Sequence, residues 1–272
     1  MDRRAYLTAL GATAAAVSGC SEGNSTGTEN DPATESTDPT PTPKPTPQVA
    51  DAGLLVDRGE YAALDRSIEG VGQGGELIVG VEYRMPVSGG SVNGLVEVRV
   101  LDDAGERVDT STAEVDAVSD GDSSDREVWF AFDTADWERG SYTAAVLVNA
   151  EAYGTTTATE VPFEIAEPLG EGEVEMRLVE FPDDAVAGEE FTWTLGFRNL
   201  SDRDSSLVTD TVTFDPARQE SMTISSETRE NIPANEEILV ENEIAVPYAD
   251  SYSYRLAEVG TEVSFSISPP EE

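Results

Sequence analysis

From Asp51 onward, apolar and polar residues alternate in short runs, the period-two signature of strands that bury one face. Leu77, Val79, Val81, Tyr83 and Met85 form one apolar face. Val96, Val98 and Val100 form a second, ahead of the turn sequence Asp102-Asp103-Ala104-Gly105. Val128, Phe130 and Phe132 follow, then Tyr142, Ala144, Val146 and Val148, then Val161, Phe163 and Ile165. The pattern pauses at Glu167-Pro168-Leu169-Gly170-Glu171-Gly172 and restarts with Val174, Met176 and Leu178. Phe191, Trp193, Leu195 and Phe197 give the strongest alternation. After them come Val208, Val212 and Phe214, then Ile238, Val240, Ile244 and Val246, then Tyr252, Tyr254 and Leu256, and last Val263, Phe265 and Ile267. No stretch after the first twenty residues sustains a helical period with caps. The pattern predicts an all-β chain of two tandem antiparallel β-sandwiches, over 52–167 and 172–268. Blocks of roughly 100 to 115 residues bury around 65% of their unfolded surface, enough for a core without disulfides.

Residues 20–51 break the alternation. Ser, Thr, Asn, Glu and Gly give way to Asp38-Pro39-Thr40-Pro41-Thr42-Pro43-Lys44-Pro45-Thr46-Pro47, with no aromatic residue and too little apolar surface to fold. This composition predicts a disordered Pro/Thr-rich stalk, extended in its proline half at about 3.1 Å per residue. Threonines beside prolines also match O-glycosylated stalks, and Asn24-Ser25-Thr26 is an N-glycosylation acceptor.

The N-terminus reads differently again. Arg3-Arg4 precede a short apolar run that ends in Val17-Ser18-Gly19-Cys20, the layout of an export signal over 1–19. The run is too short for a bilayer core of ~30 Å, which takes about 20 apolar residues. Arg3-Arg4-Ala5-Tyr6-Leu7 resembles a twin-arginine export signal, and Val17-Ser18-Gly19-Cys20 resembles the lipobox of lipoproteins. That resemblance implies a diacylglycerol on Cys20 and a lipid-anchored stalk. Cys20 is the chain's single cysteine, so no internal disulfide forms, and lipidation accounts for a lone thiol in an exported protein.

Charge and missing residue types narrow the function. Sixteen basic residues against 55 acidic ones give −39, and the single lysine, Lys44, lies outside the predicted folded part. Such a surface repels nucleic acid and anionic headgroups. In molar salt the Debye length falls to about 3 Å, so self-repulsion is screened while carboxylates keep the surface hydrated. The composition resembles that of secreted proteins of extremely halophilic archaea. There is no histidine, which removes the commonest general base and any Ser-His-Asp or Cys-His arrangement. Copper sites of the halocyanin or plastocyanin kind and His/Cys zinc sites are closed by the same absence.

Asp136-Trp137-Glu138-Arg139-Gly140-Ser141-Tyr142-Thr143-Ala144 resembles the E–F corner of immunoglobulin-like domains, with a fainter echo, lacking the glycine, at Asp250-Ser251-Tyr252-Ser253-Tyr254. In that family the tyrosine hydroxyl ties back to the corner backbone. Ala187-Gly188-Glu189-Glu190-Phe191 through Asn199, with Ile232-Pro233-Ala234-Asn235-Glu236-Glu237, resembles CARDB-like adhesion and archaeal surface modules over about 172–268. Both resemblances imply immunoglobulin-like sandwiches and leave the activity open, because such modules serve many functions.

The best metal candidate is the Asp-rich loop with Asp116, Asp120, Asp122 and Asp125, whose oxygens suit calcium. Its spacing is not that of an EF-hand, and in so acidic a chain such a cluster is more often a solvated hairpin end than a calcium site. Asn199, Asp202 and Asp204 form a weaker cluster. Asn199-Leu200-Ser201 is a second N-glycosylation acceptor; the alternative is a turn asparagine with positive φ. Trp129, Trp137 and Trp193 could line a carbohydrate platform, although Trp193 shares the register of Phe191 and Leu195 and belongs to a core, while Trp129 points outward. The expectation is a non-catalytic, lipid-anchored module on the outer face of an archaeal cell membrane. It would contact an extracellular protein, the surface layer or a glycan, with no cofactor and no nucleic acid. The rival is a polysaccharide-acting enzyme or accessory using paired carboxylates.

Overall fold

The computed structural model describes residues 43–57, 64, 67–86, 91–118, 126–215, 220–222 and 227–270. Pro43–Glu272 forms one compact unit. Within it, the first sandwich packs a three-stranded sheet against a five-stranded one. The smaller sheet joins β1 (Gln48–Leu55), β3 (Glu76–Arg84) and β6 (Arg126–Asp133) in the order β1-β3-β6. The larger has β2 (Gly70–Gly72), β4 (Ser91–Leu101), β5 (Arg107–Val118), β7 (Gly140–Ala150) and β8 (Thr155–Ala166) in the order β2-β8-β7-β4-β5. All pairings are antiparallel except the short β2–β8 contact.

The second sandwich repeats the plan. β9 (Val174–Glu180), β10 (Glu190–Asn199) and β14 (Glu237–Ala245) pair in the order β14-β10-β9. The facing sheet has β11 (Ser205–Asp215), β12 (Glu220–Met222), β15 (Ser251–Leu256) and β16 (Glu262–Ser266) in the order β12-β11-β15-β16, with β13 (Glu227–Ile232) also on β11. A parallel bridge from Val186 to Ser268 matches the parallel β2–β8 contact of the first sandwich. Two antiparallel sheets with this strand order make each half an immunoglobulin-like β-sandwich.

Alternation sets the cores. Leu77, Val79, Val81, Val96, Val98, Val100, Val146 and Val148 are sealed in the first, and Trp193, Leu195, Phe197 and Leu256 in the second. Trp193 meets Tyr254 edge-on, with ring centroids 4.9 Å apart at 86°, the arrangement that aromatic quadrupoles favour. At the turn after β4, Gly105 takes φ 77°, and the Asp102 carboxylate accepts from the amides of Ala104 and Glu106 at 3.0 and 2.7 Å. That is an Asx turn made by the residue types the sequence offered.

Both tyrosine corners form. Tyr142 Oη donates to the Glu138 carbonyl at 2.7 Å, and Tyr252 Oη donates to the Tyr248 carbonyl at 2.8 Å. The second corner forms without the glycine; there the Ser251 amide donates to the Asp250 carboxylate at 2.8 Å.

Two expectations need correction. The stalk does not extend to residue 51: β1 begins at Gln48 and pairs with β3, Pro47 is buried, and Thr155 Oγ1 donates to the Pro45 carbonyl at 2.7 Å. The edge of β3 needs a partner for its amides, and the last prolines follow β1 onto the sandwich. Second, Val208, Val212 and Phe214 do not face the core. The buried face of β11 is Leu207, Thr209, Thr211 and Thr213, because pairing of Thr211 with Leu256 and Thr213 with Tyr254 fixes the parity of the strand. Threonine has valine's shape and strand preference, so a hydroxylated face serves as core lining; Thr209 Oγ1 donates to Glu258, while Thr213 Oγ1 is buried without a partner among the described residues.

Tyr252→Phe removes one largely buried hydrogen bond and leaves a carbonyl without its donor. It is expected to destabilise the protein by about 1 kcal/mol, with the near-UV circular dichroism unchanged, measured by thermal melting in molar salt.

Candidate functional site

The two sandwiches meet at a polar junction. Glycines at the β2 corner bring the backbone of the first sandwich against β11 of the second. A Cβ on Gly72 would lie 2.8 Å from the Ser206 nitrogen, and one on Gly75 would collide with Ser206 Oγ. In that space Ser206 Oγ accepts from the Gly72 amide at 2.8 Å and donates to Asn231 Oδ1 at 2.7 Å. Asn231 Nδ2 then donates to the Glu76 carbonyl of β3 at 2.8 Å. Ser206 is fully buried and Asn231 nearly so, and an unsatisfied polar group there would cost about 1–3 kcal/mol. The chain therefore closes in one arrangement.

Around this centre the connecting segment is held on both sides. Leu169 sits in the core of the second sandwich and its amide donates to the Ser206 carbonyl at 2.8 Å. Ser205 Oγ donates to the Glu167 carbonyl at 2.7 Å. Asp204 receives the Glu69 amide at 2.6 Å and the Ala234 amide at 2.8 Å, one from each sandwich. Arg203 grips Glu173 in a two-point contact at 2.7 and 2.9 Å. Arg229 meets Asp133, and Arg139 meets Glu167, both at 3.2 Å. The Arg203 guanidinium first, then the Gly170 amide, holds the Glu173 carboxyl below the usual glutamate range. Asp133 is likewise lowered, by the Ala135 amide first and also by Arg229, against the opposing effect of burial.

The sequence candidates fall as follows. Arg3, Arg4, Cys20, Asn24, Asp120, Asp122 and Asp125 lie outside the described residues. Asp116 lies in β5, its backbone opposite Asn93. Among the described residues no group of three or more Asp or Glu is placed to hold a metal ion. Asn199 is buried, and its positive-φ reading is corrected: that backbone conformation belongs instead to Asn235 (φ 61°). Its Nδ2 donates to the carbonyls of Arg203 and Ile232 at 2.9 and 3.0 Å, and its Oδ1 accepts from the Ser201 amide and hydroxyl. A glycan on that nitrogen would displace bonds that hold the loop carrying Asp204. The tryptophans form no shared platform: Trp193 and Trp137 are buried, while Trp129 is 48% exposed on β6.

Glu230 is the carboxylate that burial perturbs most clearly. It lies opposite the buried Leu207, and burial first and the Asp57 charge second push it up. Open grooves mark the surface of the described residues, and neither Glu230 nor Asp57 lines the three that follow. One of about 760 Å³ runs past Glu69, Asp102, Tyr142, Glu160 and Glu164, and a neighbour of about 320 Å³ past Asp136, Trp137 and Arg139. A third of about 460 Å³ lies on the outer face of β11, β15 and β16.

The junction was missed from sequence. The signal was present in Gly72-Gln73-Gly74-Gly75, a glycine cluster between two apolar runs, and in Ser205-Ser206 at the head of a strand.

No family model matches the chain, and no curated protein matches it. Solved structures similar to it include red sea bream transglutaminase, at 12% identity and TM-score 0.28, over 83% of this chain and 32% of that one. A Salmonella alpha-2-macroglobulin mutant, Y1175G, is similar at 11% identity and TM-score 0.26, over 80% of this chain and 16% of that one. The chain thus spans about a third or less of either protein.

Gly75→Ala should force the junction apart. We expect a loss of about 1–3 kcal/mol and a single calorimetric transition replaced by two, as the sandwiches melt separately. Glu173→Gln should cost a few tenths of a kcal/mol to about 1 kcal/mol at neutral pH, since the pair is one-third exposed. A lowered folded pKa gives stability that is present above the ordinary glutamate value, about 4.3, and is lost as pH falls through the depressed value. Wild type and Glu173→Gln should therefore converge below that window in acid melts at constant molar salt.

Proposed function

We propose that this protein is a non-catalytic display module, anchored by a lipid on Cys20 to the outer face of an archaeal plasma membrane and adapted to high salt. The observation that carries the reading is the junction. It joins two immunoglobulin-like sandwiches in one compact unit, which suits a molecule that must present a surface at a distance. The Pro/Thr-rich segment before Pro43 supplies the spacer, and the Arg3-Arg4 and Val17-Ser18-Gly19-Cys20 motifs supply the route and the anchor. The surface charge supports the same setting, since −39 is tolerable where salt screens it. The partner is an extracellular protein, the surface layer or a glycan.

The enzyme alternative needs two carboxylates about 5 to 9.5 Å apart across one cleft, with at least one in apolar surroundings. Glu230 meets the last condition, but its neighbour in β11 is the core residue Leu207, which ties it to the strand pair instead of a groove.

Anchoring is tested in a halophilic archaeal host. Wild-type protein should partition with membranes, and Cys20→Ser should appear in the medium or retain its signal. Arg3→Lys with Arg4→Lys should block export. A processed Cys20→Ser protein that still fractionates with membranes would overturn the anchor.

A further inference from the structure

One face of the second sandwich departs from the rest of the molecule. In a chain with 55 acidic residues, the described residues that line the groove on the outer face of β11, β15 and β16 are Val212, Phe214, Ser251, Tyr252, Ser253, Arg255, Ser264 and a single carboxylate, Glu262; Asp210 lies farther along the same face of β11. Register sets the order. Phe214 lies opposite Ser253, and Ser253 opposite Ser264, so a ring and two serines form one row across the sheet. Val212, Arg255 and Glu262 form the next row. The flanking Ser251 and Ser266 hydroxyls lie 3.2 Å apart. The charges of Arg255 and Glu262 cancel, and Arg255 has no ion-pair partner among the described residues despite the surplus of carboxylates.

The two apolar side chains on this face come from the inverted strand. β11 turns threonines into the core and sends Val212 and Phe214 outward. The same face of β11 carries Ser206, clamped by the first sandwich, and Val208, which lies over Gly74 with methyl carbons 3.5 and 3.8 Å from where a Cβ would stand. Val212 and Phe214 thus continue a surface whose other end is already an interface. The groove there is about 460 Å³, within the range of small-ligand sites.

We propose that this groove binds a short stretch of neutral, hydroxyl-rich glycan. The C–H face of a sugar ring packs on Phe214 and Val212, and its hydroxyls exchange hydrogen bonds with the serine row and the Arg255 guanidinium. Serine hydroxyls both donate and accept, which matches a sugar hydroxyl in either role. A peptide would more readily seek the unpaired backbone of a sheet edge, not a sheet face lined by side chains. An uncharged polymer needs no counter-charge, which suits a groove whose two charges, Arg255 and Glu262, balance. The assignment rests on the display reading and names the chemical class of its partner.

The test uses the full chain extracted in non-ionic detergent in molar salt. Immobilised dextran, galactomannan and xyloglucan are the probes, with binding followed by biolayer interferometry. Saturable binding to at least one is expected, weakened tenfold or more by Phe214→Ala and by Ser264→Trp, which fills the groove from an exposed position. Trp129→Ala, on the other sandwich, should bind as wild type. Melting curves identify any variant that fails to fold, and Ser264→Trp keeps the test decisive if Phe214→Ala does. No binding to any of the three polymers, or binding that both folded variants retain, overturns the proposal. So does self-association, or capture of a peptide, that Phe214→Ala abolishes. Binding is measured on extracted protein whether or not it carries lipid, so its failure is separate from failure of the Cys20→Ser test.

Discussion

Ser206 carries the largest consequences of any side chain in the described structure. Its hydroxyl accepts from one sandwich, donates to Asn231 of the other, and through Asn231 reaches back to Glu76. None of this would fit if either Gly72 or Gly75 carried a side chain. A hydrogen bond of this kind adds only about 0.5–1.5 kcal/mol net, but leaving its buried partners unmatched costs more. The penalty for every other arrangement, more than the strength of the bond, keeps the sandwiches in register.

The surrounding ion pairs play a lesser part. Arg139, Arg203 and Arg229 are three of only sixteen basic residues, and all three sit at the junction. Exposed pairs of this sort contribute between nothing and about 1 kcal/mol each, less in strong salt. Their placement matters more for the charge they remove. Glu167, Glu173 and Asp133 crowd the same seam, and without arginines opposite them the seam would repel itself whenever salt fell.

Much of the fold was legible from sequence because strand faces are a local property. Leu77 through Met85, Val96 through Val100 and Phe191 through Phe197 all bury the residues that alternation selected. β11 was misread because its outward Val212 and Phe214 outweighed the threonines beside them, and only pairing with Tyr254 and Leu256 decides the parity. Asn199 shows what three letters leave out: its amide donates to the carbonyls of Arg203 and Ile232, partners that no local motif names. The junction left almost no periodic trace, since Gly72 and Ser206 are 134 residues apart and each looks like a surface residue in its own neighbourhood. Local pattern reports which face is covered; it does not report what covers it.

The way the chain enters β1 has a mechanical meaning. Pro47 is buried and Pro45 is bonded to Thr155, so a pull arriving along the preceding segment is delivered at a fixed point on the first sandwich. It meets the Pro45–Thr155 bond first and the β1–β3 ladder next, and the junction hands what remains to the second sandwich. A body gripped in this way would behave like a lever on a leash, turning about the point where the chain enters β1.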